Sequence, residues 1–249
     1  MKKTSSVGSL FYEKTKLIKC SKAKNNLTNK NKIKILYKSY PRFEQVRLPV
    51  EIKISKLPFE KILLSRRSIR DFTGAYISLE ELSYILYFSA GISVKGEDWN
   101  EALRMYPSAG ARYPLELYVT TLKVRNIDPG VYHYNVKRHS LERLFVDERE
   151  KIINKMVRIC CDQEFIKRSS VVFIITAVFR RTTLKYGERG YRYVFIEAGH
   201  LAQNIYLTAT AIQLGCCGIG GFLDDEVVAL LDLERLEERP IYLLAVGKV

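Results

Sequence analysis

Across Val171–Val178 the chain reads Val-Val-Phe-Ile-Ile-Thr-Ala-Val, with one hydroxyl among eight side chains. Successive side chains of a strand point to opposite faces, so a strand this apolar has to be covered on both. It is too short to span a bilayer as a helix, which takes about 20 apolar residues. The run therefore predicts a central strand with packed layers above and below it. A second long element follows closely. Over residues 191–214, Val194, Ala198, Leu201, Ala202, Ile205, Ala209 and Ile212 recur at helical spacing. Gly215 supplies a stop, and the internal Gly199 weakens the helix slightly.

The remaining elements follow from local signals. Leu79–Ala90 reads as a helix, with Ser78 and Glu81 spaced as a capping box and Gly91 as its end. Residues 148–159 form an amphipathic helical pattern, and 225–231 a short helix. Strands are predicted over 115–124, over 130–134 and 139–144 as a hairpin, and over 241–246. Residues 216–222 read as a tight glycine-rich connection. Helices and strands alternate irregularly, which predicts an α+β class with a central mixed sheet flanked by helices.

Charge divides the chain. Residues 1–60 carry fifteen Lys/Arg against four Glu, so +11 of the total +14 sits there. Two segments are expected: a basic N-terminal arm over 1–60 and a main domain over 61–249. The arm reads as mostly irregular, flexible over 21–34, with extended chain or a short strand within 42–58. It contains no nucleic-acid motif, so a solvated basic extension is the simpler reading than nucleic-acid binding. No run is long enough for a membrane span and no signal-peptide pattern opens the chain, so a cytoplasmic protein is expected. Cys20, Cys160, Cys161, Cys216 and Cys217 give an odd count without a Cys-x-x-Cys, and three scattered histidines complete no metal pattern. Reduced, mostly buried thiols and no metal are the expectation.

Four clusters carry chemical potential. Arg66, Arg67, Ser68 and Arg70 crowd three guanidinium groups and a hydroxyl into five positions, suited to a phosphate or a ring carbonyl. Pro107-Ser108-Ala109-Gly110-Ala111 precedes a strand with small residues that allow close backbone approach. Gly218-Ile219-Gly220-Gly221-Phe222 can expose backbone N–H groups. It is not a dinucleotide fingerprint, because Leu223 stands where a third glycine is needed and a helix, not a strand, is expected before it. Lys248 closes the last strand. Taken singly, each reads more simply as a solvated face, a turn or a terminal lysine.

In this order and spacing, however, the clusters resemble the nitroreductase family. The segments PSAGARYPLELYV, GVYHYNVKRHSLERL and EAGHLAQNIYLTATAIQLG, followed by GIGGF, are similar to its azoline-oxidising branch, the SagB/ThcOx-type dehydrogenases. The resemblance covers residues 9–249. It implies a nitroreductase-like fold, an intertwined homodimer and an FMN cofactor. Arg66, Ser68 and Lys248 would hold the phosphate, Arg67 would flank the ribityl–pyrimidine region, and Arg70 would face the N1–C2 carbonyl edge, offsetting the negative charge that reduction places on the ring. Ser108, Ala109 and Ala111, with Pro107 before them, would reach the partner's flavin, although Ala111 lacks the amide that most nitroreductases carry there. Backbone N–H groups of Ile219, Gly220 and Gly221 would approach flavin N5. Lys185 and Tyr186, in a loop that Gly187 and Gly190 would make mobile, correspond to a pair that acts on the substrate ring. The implied activity is dehydrogenation of thiazoline or oxazoline rings in a modified peptide, with a cyclodehydratase as an open partner. The alternative is an NAD(P)H-dependent nitro- or quinone reductase acting on a small molecule.

Overall fold

A computed structural model of the chain describes residues 6–17, 37–51, 54–234 and 236–249. In chain order the elements are α1 (Val7–Thr15), β1 (Gln45–Arg47), α2 (Phe59–Ser65), α3 (Leu79–Ala90), β2 (Ile92–Val94), β3 (Leu103–Arg104), β4 (Leu115–Thr121), β5 (Gly130–Asn135), β6 (Ser140–Val146), α4 (Arg149–Ile159), β7 (Val171–Val178), α5 (Arg180–Tyr186), α6 (Arg189–Ala211), β8 (Leu214–Ile219), α7 (Asp224–Leu230) and β9 (Glu238–Lys248).

Seven strands form one sheet in the order β1-β6-β5-β4-β7-β9-β8. The apolar run is β7 itself, central as its composition requires. Val171, Phe173, Ile175 and Ala177 face a core shared with α3 and α6. Val172 and Ile174 face a second core shared with α4 and α7. The two-sided burial thus follows directly from the period of two. α3 starts as its capping box dictates: the Ser78 side chain accepts from the Glu81 N–H at 3.2 Å and Glu81 accepts from the Ser78 N–H at 2.8 Å. It stops at Gly91, whose N–H reaches the Tyr87 carbonyl at 2.8 Å.

Three expectations change. Every pairing between sheet strands is antiparallel, so the sheet expected to be mixed is not. Among the described residues, parallel pairing is confined to the isolated bridges Ser68↔Cys216 and Ile77↔Val124. The glycine-rich stretch 216–222 is largely strand. β8 pairs with β9 from Leu214↔Lys248 to Ile219↔Leu243, and α6 ends earlier, at Ala211. The glycines of β8 answer to neighbours: a Cβ at Gly215 would crowd Phe72 and Val249, and one at Gly218 would collide with Tyr242. Finally, the N-terminal region holds more structure than its composition suggests. Ser6 caps α1, and Arg189 and Arg192 of α6 hold its last turn through Thr15 and Tyr12 at 2.5–3.1 Å. β1 joins the sheet edge on β6. The flexible stretch expected over 21–34, like Cys20, lies outside the described residues. Cys160, Cys216 and Cys217 are free and buried, while Cys161 is free and exposed. No helix among the described residues is long and apolar enough to cross a membrane.

Candidate active site

The chain leaving α2 runs along the outer edge of β8. Ser68 bridges Cys216, and the Ile69 N–H donates to the Cys216 carbonyl at 2.9 Å. Phe72, fully buried, anchors the segment, and the Thr73 N–H donates to the Lys248 carbonyl at 2.9 Å. The arginine–serine cluster is therefore held by backbone pairing, not left as a loose loop. Its side chains diverge. Arg66 lies 5.5 Å over the ring of Tyr206, and Ser68 Oγ is 3.0 Å from Tyr206 Oη. Arg67 turns back to donate to the Leu64 and Arg66 carbonyls at 3.0 and 2.7 Å, finishing α2. Arg70 is exposed, 6.0 Å over Phe165, with its charge felt by the Cys217 thiol, which burial raises and Arg70 lowers.

Tyr206 ties this segment to β8, because the Gly218 N–H donates to Tyr206 Oη at 2.5 Å. Beyond it the strand opens. Ile219 is buried, whereas a Cβ at Gly220 or Gly221 would meet nothing within 4 Å. The backbone there faces free space, as a ligand-approaching turn should. Lys248 reaches the neighbourhood from β9, but its ammonium is paired with Glu81 Oε1 at 2.5 Å.

A second cluster forms around the loop before β4. Its backbone is constrained: Gly110, Ala111 and Tyr113 all have positive φ, at 62°, 52° and 44°. Left-handed conformations cost a residue with a Cβ about 1 kcal/mol or more and concentrate at functional sites. Lys185 and Tyr186 close over Gly110. A Cβ there would stand 2.5 Å from Tyr186 Oη and 2.7 Å from Lys185 Nζ. The lysine nitrogen and the phenol oxygen therefore converge on one point. They occupy the last turn of α5, ended by Gly187 at φ 55°, so the segment expected as a mobile loop is helical. Behind the loop, Ser108 donates to Glu197 Oε2 at 2.6 Å and accepts from the Tyr113 N–H at 2.8 Å. Pro107 is exposed and Ala109 and Ala111 are half-buried on the same turn.

Glu197 was not legible as a site residue, because helical periodicity singles out only apolar positions. It is 2% exposed, and its Oε1 has no hydrogen-bond partner. Burial pushes its carboxyl up to about 7, against the opposing pull of the Ser108 hydrogen bond and the Arg104 charge. Between the ordinary carboxyl value of 4.5 and about 7 the folded chain keeps a proton that the unfolded chain releases. Stability from this group is thus complete below that window and lost as pH rises through it, by about 3 kcal/mol. Glu197→Gln keeps an acceptor for Ser108 and removes the titration. Urea unfolding should find the variant about 1–3 kcal/mol more stable than the parent at pH 8 and nearly equal at pH 4; equal differences at both pH values would sink this assignment.

The two clusters do not meet within one chain. Glu197 and Tyr206 are nine residues apart on α6, so they lie about 13 Å apart along its axis and project from roughly opposite sides. The strand before Gly218 removes one of the two objections to a dinucleotide fingerprint; Leu223 in the place of the third glycine remains the other. No group of His, Cys, Asp or Glu among the described residues is arranged to hold a metal.

A family model for the nitroreductase family matches residues 63–248. The nitroreductase-like protein MJ1384 of Methanocaldococcus jannaschii is 37% identical over 204 residues, covering 82% of this chain and 96% of that one. The microcin B17-processing protein McbC of Escherichia coli is 28% identical over 150 residues, covering 59% of this chain, and the match spans only 54% of McbC. A solved structure of the E. coli microcin synthetase McbBCD complex with truncated pro-MccB17 bound contains a chain that superposes with a TM-score of 0.63 at 22% identity, over 96% of this chain and 86% of that one. With the matched span and the archaeal relative in agreement, the chain belongs to the nitroreductase family of oxidoreductases.

Proposed function

We propose that this protein is an FMN-dependent dehydrogenase that aromatises thiazoline- or oxazoline-type rings in a modified peptide. The observation that carries the reading is the convergence of Lys185 Nζ and Tyr186 Oη over Gly110. Aromatising such a ring removes one hydrogen as hydride and another as a proton. Bound FMN would supply the hydride acceptor, with dioxygen as the final oxidant. The chain's own residues have the remaining task of holding the ring and taking the proton, and a lysine amine beside a phenol is suited to it. Likeness to McbC, a protein that processes a peptide, points the same way.

The first cluster fits a phosphate-bearing flavin. Arg66 supplies a fixed cation, Ser68 a hydroxyl, and the open backbone at Gly220 and Gly221 room for a flat ring. Lys248 would join by exchanging its partner Glu81 for the phosphate. Because the clusters face away from each other, a complete site takes the first from one chain and the second from another. The apolar side chains left exposed on α2 and α6, including Phe59, Leu63, Leu64, Phe195 and Ile196, fit a homodimer interface. A cyclodehydratase would supply the substrate ring.

The second reading, an NAD(P)H-dependent nitro- or quinone reductase, is favoured by the likeness to MJ1384. Anaerobic titration separates the two. The purified protein is expected to show flavin absorbance that bleaches with an azoline-bearing peptide and stays yellow with NADPH. Bleaching by NADPH alone would move the assignment to the second reading, and a colourless chain that takes up no added FMN would defeat both.

A further inference from the structure

Tyr206 belongs to none of the sequence clusters, yet it touches three parts of the first one. It contacts Ser68 through its hydroxyl, Gly218 through the same oxygen, and Arg66 through its ring. We infer that Tyr206 is the positioning residue that aims the Ser68 hydroxyl at a phosphate monoester, and so sets the preference of this site for a phosphorylated flavin over the free one. The inference rests on the FMN reading above.

One proton in this cluster is fixed by the geometry. Tyr206 Oη already accepts from the Gly218 backbone N–H at 2.5 Å, and that N–H can only donate. In the proposed state the phenolic proton points to Ser68 Oγ, 3.0 Å away, a contact in which either oxygen can donate. With Ser68 Oγ accepting, its own hydrogen turns outward, into the exposed space beside Arg66. A serine in this state is a committed donor. Without the phenol its hydroxyl rotates and can present a lone pair to the anion, which repels it. The face of Tyr206 also carries Arg66, and a guanidinium set against a ring loses fewer conformers when an anion arrives. Both effects act on the phosphate alone. A Cβ at Gly220 or Gly221 would meet nothing within 4 Å, so the Tyr206 side chain does not line the open backbone proposed for the ring.

The backbone is arranged so that this contact is kept. Gly218 has no room for a side chain, because Tyr242 and Tyr206 occupy it, so β8 stays close enough for its N–H to hold the phenol. Tyr206→Phe keeps the ring beside Arg66 and removes the hydroxyl, which frees Ser68 and leaves the Gly218 N–H without its acceptor.

The full-length chain, stripped of flavin, is titrated with FMN and with riboflavin, following the quenching of flavin fluorescence. Tyr206→Phe should weaken FMN binding by about tenfold, the scale of one hydrogen bond to a charged group, and leave riboflavin binding unchanged. Ser68→Ala should do the same, and the double variant should bind FMN no more weakly than either single one. Inorganic phosphate should compete with FMN on the parent at lower concentration than on either variant. Equal losses for FMN and riboflavin would reduce Tyr206 to a packing residue and overturn the inference. So would additive losses in the double variant, or no loss at all. Ser68→Ala removes the phosphate donor itself, so it sets the loss against which Tyr206→Phe is read, and phosphate competition on the tyrosine variant reads the anion site directly even if its flavin binding is impaired. A parent chain that binds neither flavin would overturn the FMN reading along with it, an outcome distinct from the others.

Discussion

Replacing Lys185 with alanine is expected to cut turnover of an azoline-bearing peptide by about 100- to 10,000-fold, the range of a lost general base, while the flavin stays bound. The separation of the two effects follows from the geometry. Lys185 Nζ and Tyr186 Oη meet over Gly110, in the cluster built on Ser108 and Glu197. Arg66 and Ser68, proposed to hold the phosphate, belong to the other cluster, on the far side of α6. Lys185 is exposed, so removing its side chain opens no cavity in the core. Tyr186→Phe keeps the ring that packs 5.0 Å from Tyr193 and removes only the hydroxyl. Its loss is expected to be smaller if lysine takes the proton, and larger if the phenol does. Stopped-flow bleaching of the flavin by the peptide, under anaerobic conditions, reads the chemical step; the absorbance of the purified variant reads occupancy. If Lys185→Ala bleaches at the parent rate, the pair has no part in proton removal. If the variant emerges colourless, the two clusters are not independent.

How much of this was readable in the sequence depends on which force fixes each part. β7 was legible to the residue, because a strand buried on both faces reads as one apolar run, interrupted by Thr176 alone. α3 was equally legible, because its capping box and Gly91 are local hydrogen-bond devices. β8 was not, since a stretch with glycines at 215, 218, 220 and 221 has no strand propensity of its own, and only pairing with β9 makes it one. The helical turn at Lys185 was hidden for a similar reason. Gly187 and Gly190 mark a break, but Gly187 serves as the left-handed joint between two helices. Within the site, residue types drew notice where they cluster in sequence, as in 66–70. Tyr206 and Glu197 are single polar positions on a helix read for its apolar face, and their partners Gly218 and Ser108 lie 12 and 89 residues away. No spacing rule reaches that far. Lys248 shows the converse: its placement at a strand end was plain, whereas its pairing with Glu81 depends on how α3 packs beside β9.

Glu116→Leu is expected to destabilise the fold by about 3–5 kcal/mol, the range for removing one partner of a buried ion pair. Glu116 is buried on β4, with Arg181 Nη2 2.6 Å from Oε1 and His133 Nε2 3.1 Å from Oε2. Burial by itself would raise its carboxyl, but Arg181 and the His133 hydrogen bond outweigh that and hold it well below the usual carboxylate range. His133 moves the other way. Burial disfavours its charge, yet Glu116 and Glu142, the latter 2.8 Å from Nδ1, raise it. The carboxylate therefore contributes stability that is present above the ordinary carboxyl value and lost as pH falls through its lower folded value, while the imidazolium contributes stability that is lost as pH rises through its raised one. Among the described residues, the leucine variant leaves the Arg181 guanidinium with the Tyr113 carbonyl, at 3.1 Å, to answer it. Because Arg181 lies in the first turn of α5, the strain falls on the helix that carries Lys185 and Tyr186. Adding Arg181→Leu removes the stranded charge, so the double variant should recover much of the loss, as apolar replacements of buried pairs do. Urea unfolding at pH 7 measures both differences. A single-variant loss under about 1 kcal/mol, or a double variant no more stable than the single one, would mean that Arg181 finds water or another anion and that α5 does not depend on this pair.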